Sequence, residues 1–342
     1  MRPWSAEYAG RVEEHELHSA ALEGNRLGDP ASRPIWVYLP PGYDEDPARR
    51  YPVIYFLHPF GGMVTRWGNR PTFSPSVPEL LDGCFAAGDA PACIVAYVDG
   101  WTSLGGSQFV DSPASGRYHT YLCEDVVGYV DATFRTLPAP AHRALQGKSS
   151  GGFGAVVNAM LRPDVFGAFA SHAGDAGYEL CYLREIADAY RALRDRYDGS
   201  YEAFFAEFRA RQPVARREDG ALVMVYALAA CFSADEDGTV RLPFDPRTGA
   251  VVAEVWERWL AWDPIRMVAR HREALASLGG IWIDAGRADE FYLDVSGRLL
   301  VEELRRNAID DVAFELFDGT HSGTDHRYPL ATAYLARRIA RP

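Results

Sequence analysis

The chain has 342 residues, 48% of them apolar, which suits one large domain or two ordinary ones. A formal charge of −12, with no run of Lys or Arg to offset it, argues against nucleic acid or an anionic membrane surface as partner. Five cysteines (Cys84, Cys93, Cys123, Cys181 and Cys231) are scattered without C-x-x-C spacing, the pattern of reduced, mostly buried thiols in a cytoplasmic protein, and no metal site is suggested.

Met1 to Glu7, with Arg11, Glu13 and Glu14 behind them, lack the apolar core of a secretory signal. The longest apolar run, Ala221 to Phe232, is too short to span a bilayer. Gly10 to Ala21 and Pro34 to Leu39 read as two strands of a hairpin joined by a turn-rich segment. Tyr51 to Leu57 and Cys93 to Val98 are nearly continuous apolar strands, the kind covered on both faces of a parallel sheet. Between them Pro78 to Ala87 reads as a helix. The loop Trp101 to Gly116, rich in Gly and Ser, is too long for a mere connector and is a candidate pocket wall. Tyr121 to Phe134 is an amphipathic helix, Arg143 to Gln146 a short strand, Phe153 to Leu161 a helix, and Phe166 to His172 a strand ending at Asp175.

After Asp175 the strand–helix rhythm breaks for about a hundred residues, far more than a single crossover needs. That interval reads as helices over Glu179 to Tyr197, Tyr201 to Arg211, Ala221 to Phe232 and Val251 to Trp262, with turns over 212–220 and 233–249. Asp263-Pro264 is a good N-cap and first-turn pair for a helix through Leu278. The rhythm then resumes with a strand over Ile281 to Asp284, a helix over Leu293 to Asn307, a strand over Val312 to Phe317 and a helix over Leu330 to Ile339. The expected architecture is a single α/β domain over 1–342. Its sheet is mostly parallel and doubly wound, and residues 178–262 form a helical lid folded over the strand ends.

The chemistry centres on Gly147-Lys148-Ser149-Ser150-Gly151, a G-x-S-x-G pattern set between a strand and a helix. Two glycines remove the Cβ atoms that would collide at the tight turn, so Ser149 can stand clear of the sheet as a nucleophile. The Ser150 amide at the helix start then faces the place where an oxyanion would form. A serine nucleophile needs a base and an acid, which on this type of sheet follow in the order Ser, Asp/Glu, His. His321, after the last strand, is the favoured base over His326. Asp289, in the loop after the preceding strand, is favoured as acid over the strand-end Asp284. Phe60 is the candidate second oxyanion donor, because Pro59 has no N–H, and His58 reads as a brace for that loop. Trp101, Asp175 and Tyr178 are the candidate substrate-binding residues.

Five stretches carry a resemblance: Trp36-Val37-Tyr38-Leu39-Pro40-Pro41-Gly42-Tyr43, Phe56 to Gly62, Gly147 to Gly152, Ile283 to Phe291, and Gly319-Thr320-His321-Ser322. In this order they resemble the esterase family of α/β-hydrolases that includes esterase D (S-formylglutathione hydrolase), enterochelin esterases, feruloyl esterases and mycolyltransferases. The resemblance covers the chain outside the helical insertion. It implies Ser149 as nucleophile, Asp289 as acid, His321 as base, and the Phe60 and Ser150 amides as oxyanion hole. The activity it implies is hydrolysis of a small or medium carboxylic ester without a cofactor. An acyltransferase, a thioesterase or a silent binding protein on the same fold are the alternatives, and a homo-oligomer is compatible with the sequence. This chain has Pro59 where members often have Gly, and Ser150-Gly151-Gly152 where Met-Gly-Gly is common.

Overall fold

The computed structural model describes residues 7–70, 74–211, 216 and 218–340. Eight strands form one sheet: β1 (Arg11–His18), β2 (Ser32–Leu39), β3 (Val53–Leu57), β4 (Ile94–Val98), β5 (Arg143–Lys148), β6 (Ala168–His172), β7 (Gly280–Gly286) and β8 (Val312–Phe317). Their order is β1-β2-β4-β3-β5-β6-β7-β8. β1 pairs with β2 antiparallel, from Arg11 opposite Leu39 to His18 opposite Ser32, and β2 with β4 antiparallel. Every later pairing is parallel. This is the α/β-hydrolase arrangement expected from the sequence.

The middle strands β3, β4, β5 and β6 are buried at every residue, so they show no in–out alternation. Helices cover both faces. On one, α1 (Val77–Ala86) and the last helix, Tyr328–Ile339, pack Leu81, Phe85 and Leu335 against Ile54, Phe56 and Val95. On the other, α2 (Ser150–Leu161) packs Phe153 and Val157 against Leu57, Leu145 and Phe169. α1 starts with a capping box in which Ser76 and Glu79 satisfy each other's backbone amides.

Between β6 and β7 the chain forms the helical segment read from the sequence. Its main helices are α3 (Leu183–Tyr197), α4 (Tyr201–Ala210), α5 (Asp219–Phe232) and α6 (Ala253–Leu260). Most of the turn expected over 212–220 lies outside the described residues. Tyr178, Tyr182, Phe232, Trp259 and Trp262 form one aromatic cluster inside this segment. Tyr201, Phe204, Phe205 and Tyr226 form another. Buried Asp263 joins the segment's entrance to its exit. Its carboxylate accepts the Gly177 and Tyr178 amides, both at 3.0 Å, and caps its own helix through Ile265 N.

Three expected helices differ in extent. The helix expected over 179–197 breaks at Tyr182, between Tyr178–Cys181 and α3. The helix expected from Pro264 to Leu278 is two short pieces, Pro264–Met267 and Arg272–Ser277. After Val268 the next buried residue is Leu275, so no apolar stripe holds a continuous helix against the core. The helix read from Tyr121 starts at Tyr118 and contains a wide turn over Tyr121–Val126. Among the described residues, no helix is long and apolar enough to cross a membrane. All five cysteines are unpaired and buried.

Candidate active site

β5 ends at Lys148 and α2 begins at Ser150, leaving Ser149 as the turn between them. Ser149 has φ 55° and ψ −123°, a backbone region that costs a non-glycine residue on the order of 1–3 kcal/mol. The surroundings enforce it. Ser149 N donates to the His172 carbonyl of β6 at 2.9 Å, and its own carbonyl accepts from Phe153 N at 2.8 Å. A Cβ on Gly147 would overlap the Gly151 carbonyl, and one on Gly151 would overlap the Leu57 carbonyl at the end of β3. Both positions therefore require glycine, because backbone approaches too closely for any side chain.

The structure brings Ser149, His321 and Asp289 into one hydrogen-bonded chain. His321 Nδ1 lies 2.8 Å from Asp289 Oδ2, and His321 Nε2 lies 3.1 Å from Ser149 Oγ. A carboxylate opposite Nδ1 fixes the proton there, leaving Nε2 free to accept from the serine hydroxyl. The Asp289 side chain is fully buried and the His321 side chain only 14% exposed. The second Asp289 oxygen accepts the Phe291 amide at 2.8 Å, which orients the carboxylate. Two neighbours that the sequence did not single out hold the histidine. Glu290 Oε2 accepts the His321 amide at 2.8 Å, a bond that draws the Glu290 pKa down, and the Phe291 ring meets the imidazole edge-on at 4.8 Å.

Asp284, the competing acid, belongs to a different network. It accepts from His172 Nδ1 at 2.8 Å, Trp282 Nε1 at 2.9 Å and Arg327 Nε at 3.2 Å. Burial acts to raise its pKa, but His172 and its other partners outweigh that and hold it below the ordinary range. His172 Nε2 in turn accepts from Gln146 Nε2 at 3.0 Å. This second His–Asp pair has no exposed surface and ties β5, β6, β7 and the last helix together beneath the site. His326 sits elsewhere, with Nδ1 3.1 Å from the Gly323 carbonyl.

Phe60 lies in the loop after β3, and neither its amide nor that of Ser150 has an acceptor among the described residues. Gly61 N donates to the Gly105 carbonyl at 2.8 Å, and a Cβ on Gly105 or Gly106 would run into the Phe60 ring. The loop is braced from below by His58, whose Nδ1–H donates to the Pro59 carbonyl at 2.9 Å while Nε2 accepts from Gly100 N at 2.8 Å. Burial lowers the His58 pKa, consistent with a neutral imidazole. The buried Asp99–Arg33 pair at 2.5 Å completes the support, with Asp99 also accepting the Val64 amide.

A cavity of about 30 Å³ opens at Ser149, walled by Phe60, Gln108, Asp175, Phe291, Leu293 and, from the helical segment over 178–262, Cys181, Tyr182, Met224 and Leu228. Asp175 lines the cavity, and its Oδ1 accepts from Ser149 Oγ at 3.4 Å. Trp101 and Tyr178 are not brought to the cavity. Tyr178 is fully buried in the aromatic cluster of that helical segment, with its hydroxyl on the Trp262 carbonyl. Trp101 uses its carbonyl to accept from Arg33 and Tyr118, which anchors the loop instead. The loop does line the cavity, through Gln108. Gln108 and Phe109 both have positive φ, at 52° and 54°. The Phe109 ring sits where Cβ atoms on Gly100 and Gly154 would be, so the slot these glycines leave holds the loop in that conformation. No sequence pattern signals Gln108; the paired glycines in distant segments are the nearest hint. Among the described residues no group of His, Cys, Asp and Glu could hold a metal ion.

Residues 30–334 match the model of the Esterase family, described as "Putative esterase". The chain belongs to that family. Among solved structures, this esterase-family chain is similar to a ferulic acid esterase, at 17% identity and TM-score 0.62 over 97% of this chain and 99% of the other. It is likewise similar to an S-formylglutathione hydrolase from Agrobacterium tumefaciens, at 15% identity and TM-score 0.57 over 98% of each chain. At these identities the likeness is one of fold. In sequence, it is 26% identical over 141 residues to an endo-1,4-beta-xylanase/feruloyl esterase of Xylanibacter ruminicola. It is 28% identical over 144 residues to an uncharacterized protein of Corynebacterium glutamicum. The matches span 40% and 42% of this chain but only 19% and 33% of those relatives.

Proposed function

We propose that this esterase-family protein is a serine carboxylic-ester hydrolase acting through an acyl-enzyme on Ser149. The observation that carries the reading is the Asp289–His321–Ser149 hydrogen-bond chain beside the Phe60 and Ser150 amides, which have no acceptor among the described residues. Ser149 Oγ attacks the ester carbon while His321 Nε2 takes the hydroxyl proton. The Phe60 and Ser150 amides stabilise the oxyanion, and Asp289 stabilises the imidazolium that forms. When the tetrahedral intermediate collapses, the bond to the leaving oxygen breaks and His321 returns the proton to the alcohol. Water, deprotonated by the same histidine, then releases the acid and restores Ser149.

The cavity, about 30 Å³ in volume and walled by Phe60, Tyr182, Met224, Leu228 and Phe291, favours a short acyl group. The lid at 178–262 supplies selectivity through Cys181, Tyr182, Met224 and Leu228, while its other large side chains fill its own core. Five unpaired buried cysteines suit a reducing cytoplasm.

Hydrolysis of p-nitrophenyl acetate tests the reading. Ser149→Ala is expected to lower kcat by about 10⁶, the scale on which triad serines act, while Ser150→Ala, which keeps the amide, stays near the parent. A Ser149→Ala protein that retains parent turnover would overturn it.

A further inference from the structure

The part of the cavity wall formed by Asp175 and Gln108 is polar in a way that ester hydrolysis does not require. Asp175, 8% exposed, has one carboxylate oxygen fully engaged: Oδ2 accepts from Tyr182 OH at 2.8 Å and from Gln108 Nε2 at 3.1 Å. Its other oxygen, Oδ1, has only the 3.4 Å contact from Ser149 Oγ. That hydroxyl is the one His321 needs, so during reaction Oδ1 loses its donor. Beside it, Gln108, 3% exposed and lining the same cavity, has an Oε1 with no hydrogen-bond partner among the described residues. Two buried acceptors, Asp175 Oδ1 and Gln108 Oε1, thus flank an otherwise apolar cavity lined by Phe60, Met224 and Leu228. Burial without a donor is costly for each of them. The Gln108 backbone is also held at positive φ by the Phe109 anchor, so the position of this amide is built in.

An ionised carboxylate this close to Ser149 also opposes the negative charge that grows on the reacting ester, unless the substrate supplies a donor or a positive charge. Burial raises the Asp175 pKa, in line with the same need. The acyl group is the part that stays on Ser149 after the alcohol departs, and its α-carbon is two bonds from Oγ. A substituent on that carbon falls within hydrogen-bond reach of an oxygen 3.4 Å from Oγ.

We infer that the Asp175–Gln108 pair is an acyl-recognition subsite for a short acyl group carrying a hydrogen-bond donor, a hydroxyl or an ammonium, next to the ester carbonyl. The inference rests on the hydrolase reading above. A purely alkyl acyl group leaves both acceptors dry and unpaired, and a bulky planar acyl group exceeds the cavity.

The test is kcat/KM for propanoyl, lactoyl and alanyl esters of one alcohol, each divided by the ester's own hydroxide-catalysed rate to remove intrinsic reactivity. The lactoyl ester, the alanyl ester or both are expected to exceed the propanoyl ester by about 10–100-fold, the worth of a buried acceptor left unpaired. Which of the two leads identifies the donor. Asp175→Asn and, independently, Gln108→Leu are expected to collapse that ratio, whatever they do to absolute rates. Equal corrected rates in the parent protein would overturn the inference, as would a ratio that survives in both variants where Ser149 still reacts with a fluorophosphonate. Failure of the parent to react with the phosphonate or to hydrolyse any of the three esters would instead remove the hydrolase reading, and this one with it.

Discussion

Two aspartate–histidine pairs, with their aspartates close in sequence, have different partners. Asp289–His321 reaches Ser149, whereas Asp284–His172 is sealed beneath it. Asp289→Asn is expected to lower kcat by about 10⁴ with little change in Tm, because an amide favours the wrong imidazole tautomer. Asp284→Asn is expected to cost about 3–5 kcal/mol of stability, the price of breaking a buried charged network, with a much smaller effect on kcat. Measuring kcat and Tm for both variants decides it, and a reversed pattern contradicts these roles. The same carboxylate sets an acid limit. Its folded pKa lies below the ordinary value. It therefore contributes stability above the unfolded value of about 3.9, and that contribution is lost as pH falls through the folded value. Urea midpoints should fall more steeply below about pH 4 in the parent than in Asp284→Asn, and parallel pH profiles would count against the network. Ser149 was legible in the sequence because Gly147 and Gly151 must be glycine and announce the turn. His172 was not, since its partner is 112 residues away and nothing local marks it.

Under the proposed lid role, the helical segment over 178–262 divides into side chains that pack within it and side chains that face the cavity. Among the described residues, Tyr182 is the one large aromatic side chain of this segment that lines the cavity, and Trp259 is fully buried. Leu228→Ala should shift kcat/KM between a short and a longer acyl ester by about 1–3 kcal/mol, the worth of a pocket-filling group. Trp259→Ala should cost about 3–5 kcal/mol of stability instead. If Leu228→Ala keeps the parent's substrate ranking, the lid does not form the selective wall. The existence of the lid helices was readable from the apolar pattern and the broken strand rhythm. Their interruptions were not. The break at Tyr182 accompanies its hydroxyl's bond to Asp175, and the break after Met267 follows from a loss of buried positions that appears only once the neighbours are known. In the same way, the long Trp101–Gly116 loop could be read as a pocket wall, but which side chain it presents depends on Phe109 seating against Gly100 and Gly154.

For the molecule as a whole, unbroken apolar runs at Val53–Leu57 and Ile94–Val98 revealed a sheet covered on both faces, whereas the strand order, with β4 between β2 and β3, is set by contacts that no local pattern marks. The antiparallel start, β1 with β2, followed from a turn-rich link between two alternating segments. That sheet collects at one edge four segments far apart in sequence: the Phe60 loop, the Ser149 turn, the Asp289 loop and His321. Everything proposed about chemistry depends on Ser149 being the activated group at that edge. The most direct measurement is peptide mapping by mass spectrometry after reaction with a small fluorophosphonate, at a pH where the protein hydrolyses p-nitrophenyl acetate. A single adduct is expected on Ser149, formed in step with loss of activity and absent from Ser149→Ala. An adduct elsewhere that tracks the loss of activity, or activity that survives full modification of Ser149, would contradict it.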